Sequence, residues 1–206
     1  FYIELTSEVL TECLNYLEEN SEVVLLDKRI YLKSYYEKEI NIAKNLKKID
    51  NKKAKSYLNI DEDLKKLEEK LKIDYNETQE KAIKSALNNN ITIISGGPGT
   101  GKTTIINAIV KLYFEKELLG PSDIMSEIAL LAPTGRAAKK MNSSTGIPAS
   151  TIHRYLKWYK DSNEFVYNEF NKTHHKLIIV DEVSMIDIDL FNALLNGISS
   201  NLKLNL

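Results

Sequence analysis

The chain has very little cysteine and no long apolar run. Cys13 is its single cysteine among 206 residues, so neither an intrachain disulfide nor a cysteine zinc site can form. No stretch approaches the roughly 18 consecutive apolar residues of a transmembrane helix, and the N-terminus lacks the basic and apolar segments of an export signal. Together with a hydrophobic content of 43%, these absences predict a soluble protein of the reducing cytoplasm that has no membrane partner.

The chain also lacks an excess of positive charge. Its 28 basic and 29 acidic residues give a net charge of −1, whereas a protein held to DNA by charge alone is basic. Any contact with nucleic acid must therefore be local. Arginine is scarce, and the three positions are Arg29, Arg136 and Arg154.

Residues 1–72 are predicted to form a small α+β region. Ser7 is the expected N-cap of a helix that ends near residue 19 and buries Cys13 within its apolar face. Two short β-branched runs at Val23–Leu26 and Ile30–Leu32 then predict a hairpin, so that the region is winged-helix-like. The remaining residues of the predicted apolar face are Val9, Leu10, Leu14 and Leu17.

Two more amphipathic helices are predicted in this region, at about residues 34–48 and 61–72. A lysine-rich segment from Lys47 to Lys55 separates their apolar parts, and we interpret it as a solvated linker. Contact of this linker with nucleic acid is the alternative.

From Asn76 onward, short β-branched runs alternate with helical segments. This pattern is typical of an α/β domain in which helices cover both faces of a parallel sheet. We place the domain boundary near residues 72–76 and assign residues 73–206 to the second domain. Its predicted strands are Ile91–Ile94, Glu127–Leu131, Leu177–Val180 and Leu204–Leu206.

A P-loop follows the first of these strands. Residues 96–103 fit the pattern G-x-x-x-x-G-K-[ST] and lie between an apolar run and a helical segment. Backbone N–H groups of such a loop converge on one anion, so the motif predicts a nucleoside triphosphate site. Lys102 would reach the β- and γ-phosphates, and the Thr103 hydroxyl would hold Mg²⁺. The predicted nucleotide-binding residues of this segment are Gly97, Pro98, Gly99, Thr100, Gly101, Lys102, Thr103 and Thr104.

A second nucleotide motif ends the strand at Leu177–Val180. The strand is followed by Asp181 and Glu182, a pattern known as Walker B. Asp181 would hold Mg²⁺ and Glu182 would act as the general base toward the attacking water. The long interval between the two motifs favours a RecA-like sheet, and it places Pro133–Arg136 on the same rim as the phosphate motifs.

Five segments, taken in order, resemble the first motor domain of a RecD-like superfamily 1 DNA helicase. The resemblance is dense from about residue 73 to the end and weaker before it. The segments are Asn76–Ile83, Gly96–Thr104, Leu131–Ala138, Ser150–Arg154 and Val180–Asp187.

The resemblance assigns roles to further residues. Gln79 matches the glutamine that reads the adenine edge, and an amide suits this because it both donates and accepts hydrogen bonds. Two other motifs match those that contact single-stranded DNA. Their predicted DNA-binding residues are Thr134, Arg136, Thr151 and His153. The aromatic residues that follow, Tyr155, Trp158 and Tyr159, suit either base stacking or packing, and His174 and His175 lack a third metal ligand nearby.

For the parent protein, the resemblance implies ATP-driven 5′-to-3′ translocation on single-stranded DNA in recombination and repair, alone or with other recombination subunits. The family pattern continues with a Gly-Asp and glutamine motif and a second RecA-like domain. This sequence stops at Leu206 and has no initiator methionine, so we expect an excised fragment that binds Mg·ATP weakly and unwinds nothing.

Three other interpretations remain open from the sequence. The chain could be the helicase module of a conjugative relaxase. It could instead be a DNA-independent ATPase that serves as a switch or scaffold. In the third interpretation, residues 1–72 bind a partner or a DNA end and the ATPase is secondary.

Overall fold

The computed structural model describes residues 6–97 and 99–206 of the chain. It begins with helix α1 (Ser7–Glu19) and a hairpin of strands β1 (Val23–Leu26) and β2 (Arg29–Leu32), as predicted. The hairpin turn is closed by Asp27 and Lys28, both in the left-handed region with φ of 47° and 61°. Two consecutive residues with positive φ match the right-handed twist of a two-residue hairpin.

Two predictions about α1 are wrong. Its N-cap is Thr6, whose hydroxyl accepts a hydrogen bond from the Val9 amide at 3.3 Å, and Ser7 is already helical. Cys13 is exposed, and within the described residues α1 has no buried side chain. The helix packs against β1 along one side, while Leu10 remains 48% exposed. Helical periodicity identified an apolar face, but it carries no information about which element covers that face.

The next two helices pack onto the α/β part of the molecule. Helix α2 (Lys33–Asp50) lies against helix α9 (Ile188–Gly197), and helix α3 (Ile60–Leu71) lies against helix α5 (Lys102–Lys116). Asparagine side chains join α2 to α9, because Asn41 donates to both Asn192 and Asn196 at 2.7 and 2.8 Å. The predicted boundary near residues 72–76 falls between α3 and helix α4 (Glu77–Asn88) and stays a prediction.

The lysine-rich segment is a linker only in part, because Lys47 and Lys48 belong to the last turn of α2. After the helix, the lysine side chains are exposed but the main chain is anchored. Asn90, which is buried, donates from Nδ2 to the carbonyl oxygens of Ile49 at 3.1 Å and Lys52 at 2.6 Å. Lys203 adds a hydrogen bond from Nζ to the carbonyl oxygen of Lys55 at 3.0 Å. These bonds fix the path of the linker across the amino end of the sheet.

The central sheet has five parallel strands in the order β3-β9-β8-β4-β5. The predicted fold class, an α/β domain with a RecA-like parallel sheet, is confirmed. Three predicted strands have shifted ends, and β5 was not predicted. The strands are β3 (Ile91–Thr92), β4 (Ile128–Ala132), β5 (Ala149–Thr151), β8 (Leu177–Val180) and β9 (Lys203–Asn205).

Helices cover both faces, and the inner strands β4 and β8 are accordingly apolar at every position. Leu177 and Ile179 of β8 face the core formed with α4, α5 and α7 (Gly135–Thr145). Ile178 and Val180 face the other core, with α2, α9 and the short helix α8 (Ile152–Tyr155). Among the described residues, no helix is long and apolar enough to cross a bilayer.

Three small elements complete the description. Helix α6 (Ile124–Glu127) leads into β4. A second hairpin, of strands β6 (Trp158–Tyr159) and β7 (Glu164–Phe165), follows α8 and was not predicted from the sequence. A 3₁₀ turn at Val183–Met185 follows β8 and shapes the rim of the sheet.

Candidate nucleotide site

The two nucleotide motifs leave the same edge of the sheet. The P-loop follows β3 and Asp181 follows β8, and both strands run parallel to β9, which lies between them. A cavity of about 840 Å³ opens at this edge, and Gly96, Lys102 and Glu182 line it together. The predicted meeting of the P-loop with the Walker B carboxylates is thus what the fold produces.

The P-loop is held by its own side chains. Lys102 donates from Nζ to the carbonyl oxygens of Gly96 and Gly97, the latter at 2.9 Å, and Thr100 Oγ1 donates to Gly97 O at 2.9 Å. Gly99 and Gly101 have φ of 76° and 85°, a region that residues with a Cβ rarely adopt. The Lys102 ammonium is therefore hydrogen-bonded to loop carbonyls, and a bound phosphate would take the place of those carbonyls as its acceptor. Pro98, predicted as part of this loop, lies outside the described residues.

Gln79 contacts the P-loop directly. It completes a capping box at the start of α4, in which its Oε1 accepts from the Asn76 amide at 3.1 Å. Its Nε2 donates to the carbonyl oxygen of Thr100 at 3.0 Å. A Cβ at Gly101 would stand 2.6 Å from the same nitrogen, so glycine is needed there for this approach. Both ends of the Gln79 amide are thus hydrogen-bonded within the protein. To bind adenine as predicted, the amide would replace these bonds with hydrogen bonds to the base.

The two Walker B residues differ in their hydrogen bonds and backbone conformation. The Asp181 amide still donates to Leu131 O at 2.9 Å, which continues the sheet ladder, and Asp181 Oδ1 accepts from the Glu182 amide at 3.0 Å. Glu182 has φ of 56° and is exposed. This left-handed backbone is uncommon for a glutamate, and both residues line the cavity. Two adjacent carboxylates can thus serve two roles.

The donor set fits Mg²⁺ better than a metal held by protein alone. Thr103 and Asp181 line the cavity and offer a hydroxyl and a carboxylate oxygen. The described residues contain no group of three or more His, Cys, Asp or Glu that could hold a metal ion. Mg²⁺ is usually held by one or two protein oxygens together with water and substrate phosphates.

The predicted DNA-contacting motifs lie on two neighbouring strands of the same rim. Ala132 at the end of β4 pairs with Thr151 at the end of β5. Thr134 and Thr151 are the N-caps of α7 and α8, and their hydroxyls accept from the amides of Ala137 and Arg154 at 3.2 and 3.3 Å. Arg136 and His153 are exposed. The two hydroxyls are engaged in capping, whereas the side chains of Arg136 and His153 remain accessible to solvent.

Aromatic residues after this motif divide between packing and exposure. The His153 ring lies 6.0 Å from that of Trp158, which in turn lies 4.6 Å from that of Phe165. Tyr159 on the same hairpin is 61% exposed. Trp158 thus packs on the β6–β7 hairpin, and Tyr159 presents its ring to solvent.

Tyr155 and His175 form a packed pair. Tyr155 OH lies 2.7 Å from Thr173 Oγ1 and 3.0 Å from His175 Nδ1. Burial raises the pKa of Tyr155 to about 12 and lowers the pKa of His175. Of the alternatives open from the sequence, packing applies to Tyr155.

Lys140 is a charged residue of the cavity that the sequence did not predict. Lys140, on α7, lines it together with the P-loop. Its position four residues after Arg136 was the available signal, because residues at that spacing lie on one face of a helix.

Comparisons with known proteins agree with this geometry. Residues 79–206 match the AAA domain family. The chain belongs to this family. Its relatives place it with the RecD-like superfamily 1 helicases, as its motifs indicated.

Three relatives illustrate the similarity. The RecBCD enzyme subunit RecD of Mycolicibacterium smegmatis is 35% identical over 62% of this chain and 26% of its own length. The same subunit of Buchnera aphidicola from Acyrthosiphon pisum is 34% identical over 90% of this chain and 32% of its own. The ATP-dependent RecD2 DNA helicase of Deinococcus radiodurans is 36% identical over 59% of this chain and 16% of its own. The chain therefore spans a third or less of each.

Among solved structures, the UvsW helicase of bacteriophage T4 aligns with 98% of this chain and 69% of its own at 14% identity. The TM-score of this alignment is 0.44.

Proposed function

We propose that the full-length protein is an ATP-dependent DNA helicase, and that these residues form the first half of its motor. The observation that carries the proposal is the shared cavity of Lys102, Asp181 and Glu182 at the carboxyl edge of a parallel sheet. The reaction would be ATP hydrolysis coupled to movement along single-stranded DNA in recombination and repair. The 5′-to-3′ direction rests on the resemblance to RecD-like helicases.

Lys102 would bind the β- and γ-phosphates. Its ammonium now donates to two loop carbonyls, and phosphate oxygens would accept those hydrogen bonds instead. Charge-assisted bonds to phosphate are stronger than bonds to a neutral carbonyl, so this exchange favours binding. The P-loop amides and the N-terminus of α5 would add further donors around the same anion.

Asp181 and Glu182 would divide the remaining work. Thr103 and Asp181 would hold Mg²⁺, which neutralises charge on the transferring phosphoryl group when bound. Glu182, exposed at the strand end, would accept a proton from the attacking water. The backbone N–H of Glu182 donates to Asp181 Oδ1 and so orients the aspartate. This hydrogen bond does not involve the carboxylate of Glu182.

Single-stranded DNA would pass over the rim beyond β4 and β5. Arg136 and His153 are exposed there and suit phosphate oxygens, which would allow tracking without sequence preference. Thr134 and Thr151 would fix the two helix starts that carry these side chains.

The proposal requires a second RecA-like domain in the full-length protein. In RecA-type motors, a second domain closes over the nucleotide and supplies an arginine that is worth roughly 10³–10⁵ in rate. The described residues form one wall of the site, and neither Arg136 nor Arg154 lines the cavity. We therefore expect the 206 residues alone to bind Mg·ATP weakly and to turn over slowly.

The test is steady-state Mg·ATP hydrolysis by the full-length protein, with and without single-stranded DNA. Strong stimulation by DNA that is lost in Lys102→Ala and kept in Lys111→Ala, a lysine of the same helix, would support the motor. Turnover that does not respond to DNA would instead favour a switch or scaffold.

Direction is tested separately. Release of streptavidin from the 5′ or the 3′ end of a biotinylated strand reports the end toward which the protein moves. Release from the 5′ end alone would contradict the proposed polarity. Association with other recombination subunits is a further proposal, supported by relatives named as subunits of the RecBCD enzyme.

A further inference from the structure

One cation in the nucleotide cavity belongs to neither nucleotide motif. The other described residues that line the cavity come from residues 93–95 after β3, from the P-loop, from the segment Val180–Ser184 and from Leu206. Lys140 alone comes from α7. Its side chain is exposed, and within the described residues it makes no ion pair.

The charges that line the cavity indicate that this lysine would bind a phosphate group. Asp181 and Glu182 bring negative charge, and Lys102 is the single cation supplied by the motifs. A nucleoside triphosphate keeps net negative charge even with one bound divalent cation. A second ammonium at the cavity wall would therefore reduce the repulsion between the terminal phosphate and the carboxylates.

Helix α7 also begins at the rim proposed to bind DNA. Thr134 caps it, and Arg136 lies in its first turn. Arg136 and Lys140 are four residues apart, so one helical face carries both. The helix packs on α5, which starts from the P-loop, and on β4 and β5. Any shift of α7 that accompanies DNA binding would move Lys140 relative to the phosphates.

We propose that Lys140 binds the terminal phosphate of ATP and links that contact to single-stranded DNA through α7. This inference rests on the proposed function, because it names a phosphate ligand and a coupling element for the same site. Lys140 is a phosphate-binding residue in this scheme, and the general base remains Glu182.

The test compares Lys140→Met with Lys139→Met in the full-length protein. Lys139 is the adjacent lysine, is exposed and does not line the cavity, so it controls for the loss of one surface charge. Titration calorimetry with Mg·ADP and with a non-hydrolysable Mg·ATP analogue gives the two affinities. Lys140→Met should weaken the triphosphate roughly 5- to 10-fold and the diphosphate less than 2-fold, as expected of one partly solvated charged bond.

Two further measurements sharpen the result. Lys140→Arg keeps the positive charge and should restore most of the triphosphate affinity. Repeating the titrations with saturating oligothymidylate measures the coupling between DNA and nucleotide, which should shrink in Lys140→Met and stay unchanged in Lys139→Met.

Equal weakening of both nucleotides, or equal effects of the two methionine variants, would overturn the role of Lys140. A different result would contradict the proposed function itself, namely a wild-type protein that does not bind Mg·ATP or shows no coupling between nucleotide and DNA. Circular dichroism and thermal unfolding confirm that the variants are folded, as expected for an exposed lysine.

Discussion

Gln79 Nε2 donates to the carbonyl oxygen of Thr100 at 3.0 Å, and this bond joins the start of α4 to the tip of the P-loop. The same amide accepts from Asn76 through Oε1, so it is held from both ends. A glutamine in this position is pre-oriented beside the nucleotide cavity. A rearrangement of the P-loop around a phosphate would therefore alter the contact with α4.

Substitution of this glutamine should change nucleotide preference. We expect Gln79→Leu to weaken Mg·ATP by about 10-fold and Mg·GTP by much less, because one or two hydrogen bonds to the adenine edge are lost. Fluorescence titration with both nucleotides gives the ratio. Lys81→Leu, two residues further along α4, is the control. A uniform loss for both nucleotides would mean that Gln79 acts on the loop alone.

Removal of the proposed base should separate binding from chemistry. Glu182→Gln keeps the shape of the side chain but cannot take a proton. Turnover of Mg·ATP should fall by roughly 10²- to 10⁴-fold while the affinity for Mg·ATP changes little. Stopped-flow measurement of phosphate release and a nucleotide titration check the two parts. Glu62→Gln changes an exposed glutamate of α3 and serves as the control. Turnover at the wild-type rate in Glu182→Gln would show that Glu182 is not the general base.

Asn205 offers a test of stability. It is 2% exposed, and neither Oδ1 nor Nδ2 has a hydrogen-bond partner within the described part of the chain. An unpaired buried amide costs roughly 1–3 kcal/mol, so Asn205→Leu should raise the melting temperature by about 2–6 °C.

A matched control comes from Asn90, which is also buried but donates to backbone carbonyls. Asn90→Leu should lower the melting temperature, since it leaves those carbonyls without a donor. Differential scanning calorimetry of the full-length variants compares the two. A decrease for Asn205→Leu as large as that for Asn90→Leu would show that the Asn205 amide is satisfied in solution.

Lys203 should make stability depend on pH. It is buried, and burial together with repulsion from Lys55 lowers its pKa to about 8. The unfolded chain then holds this proton more tightly than the folded chain between pH 8 and the ordinary lysine range. Stability therefore rises with pH in this window, by up to about 1.4 kcal/mol per pH unit from this group.

Urea unfolding of wild type and Lys203→Met at pH 7.5, 8.5 and 9.5 measures this slope as a difference between the two proteins. The difference is needed because other groups also titrate in this range. Lys66→Met, an exposed lysine, should leave the slope unchanged. Parallel pH profiles for wild type and Lys203→Met would contradict the lowered pKa.

Strands and motifs could be predicted from the sequence where their burial or chemistry depends on neighbouring residues in the chain. The run Leu177–Val180 is apolar at every position because both faces of β8 are covered, and this feature identifies an inner strand without knowledge of its neighbours. The P-loop and Asp181–Glu182 were found for a similar reason, since each function requires particular residue types at fixed spacing. Their meeting in one cavity followed from the rule for parallel strands.

Failures occurred where the answer depends on distant residues. The apolar face of α1 indicated a buried Cys13, but burial requires a covering element that periodicity cannot report. Ser7 and Thr6 are both good caps, and the choice between them is set by where the helix starts. Lys140 could not be predicted as a site residue because an exposed lysine on a helix has no distinctive sequence pattern. The cavity that it lines forms only when the sheet brings distant segments together.

Strand β9, inserted between β3 and β8, sets the working distance of the site. Neighbouring strands lie about 4.8 Å apart, so two spacings separate the axes of the P-loop strand and the Walker B strand by roughly 10 Å. Under the proposed function, this separation leaves room for a water molecule between Glu182 and the terminal phosphate of the nucleotide.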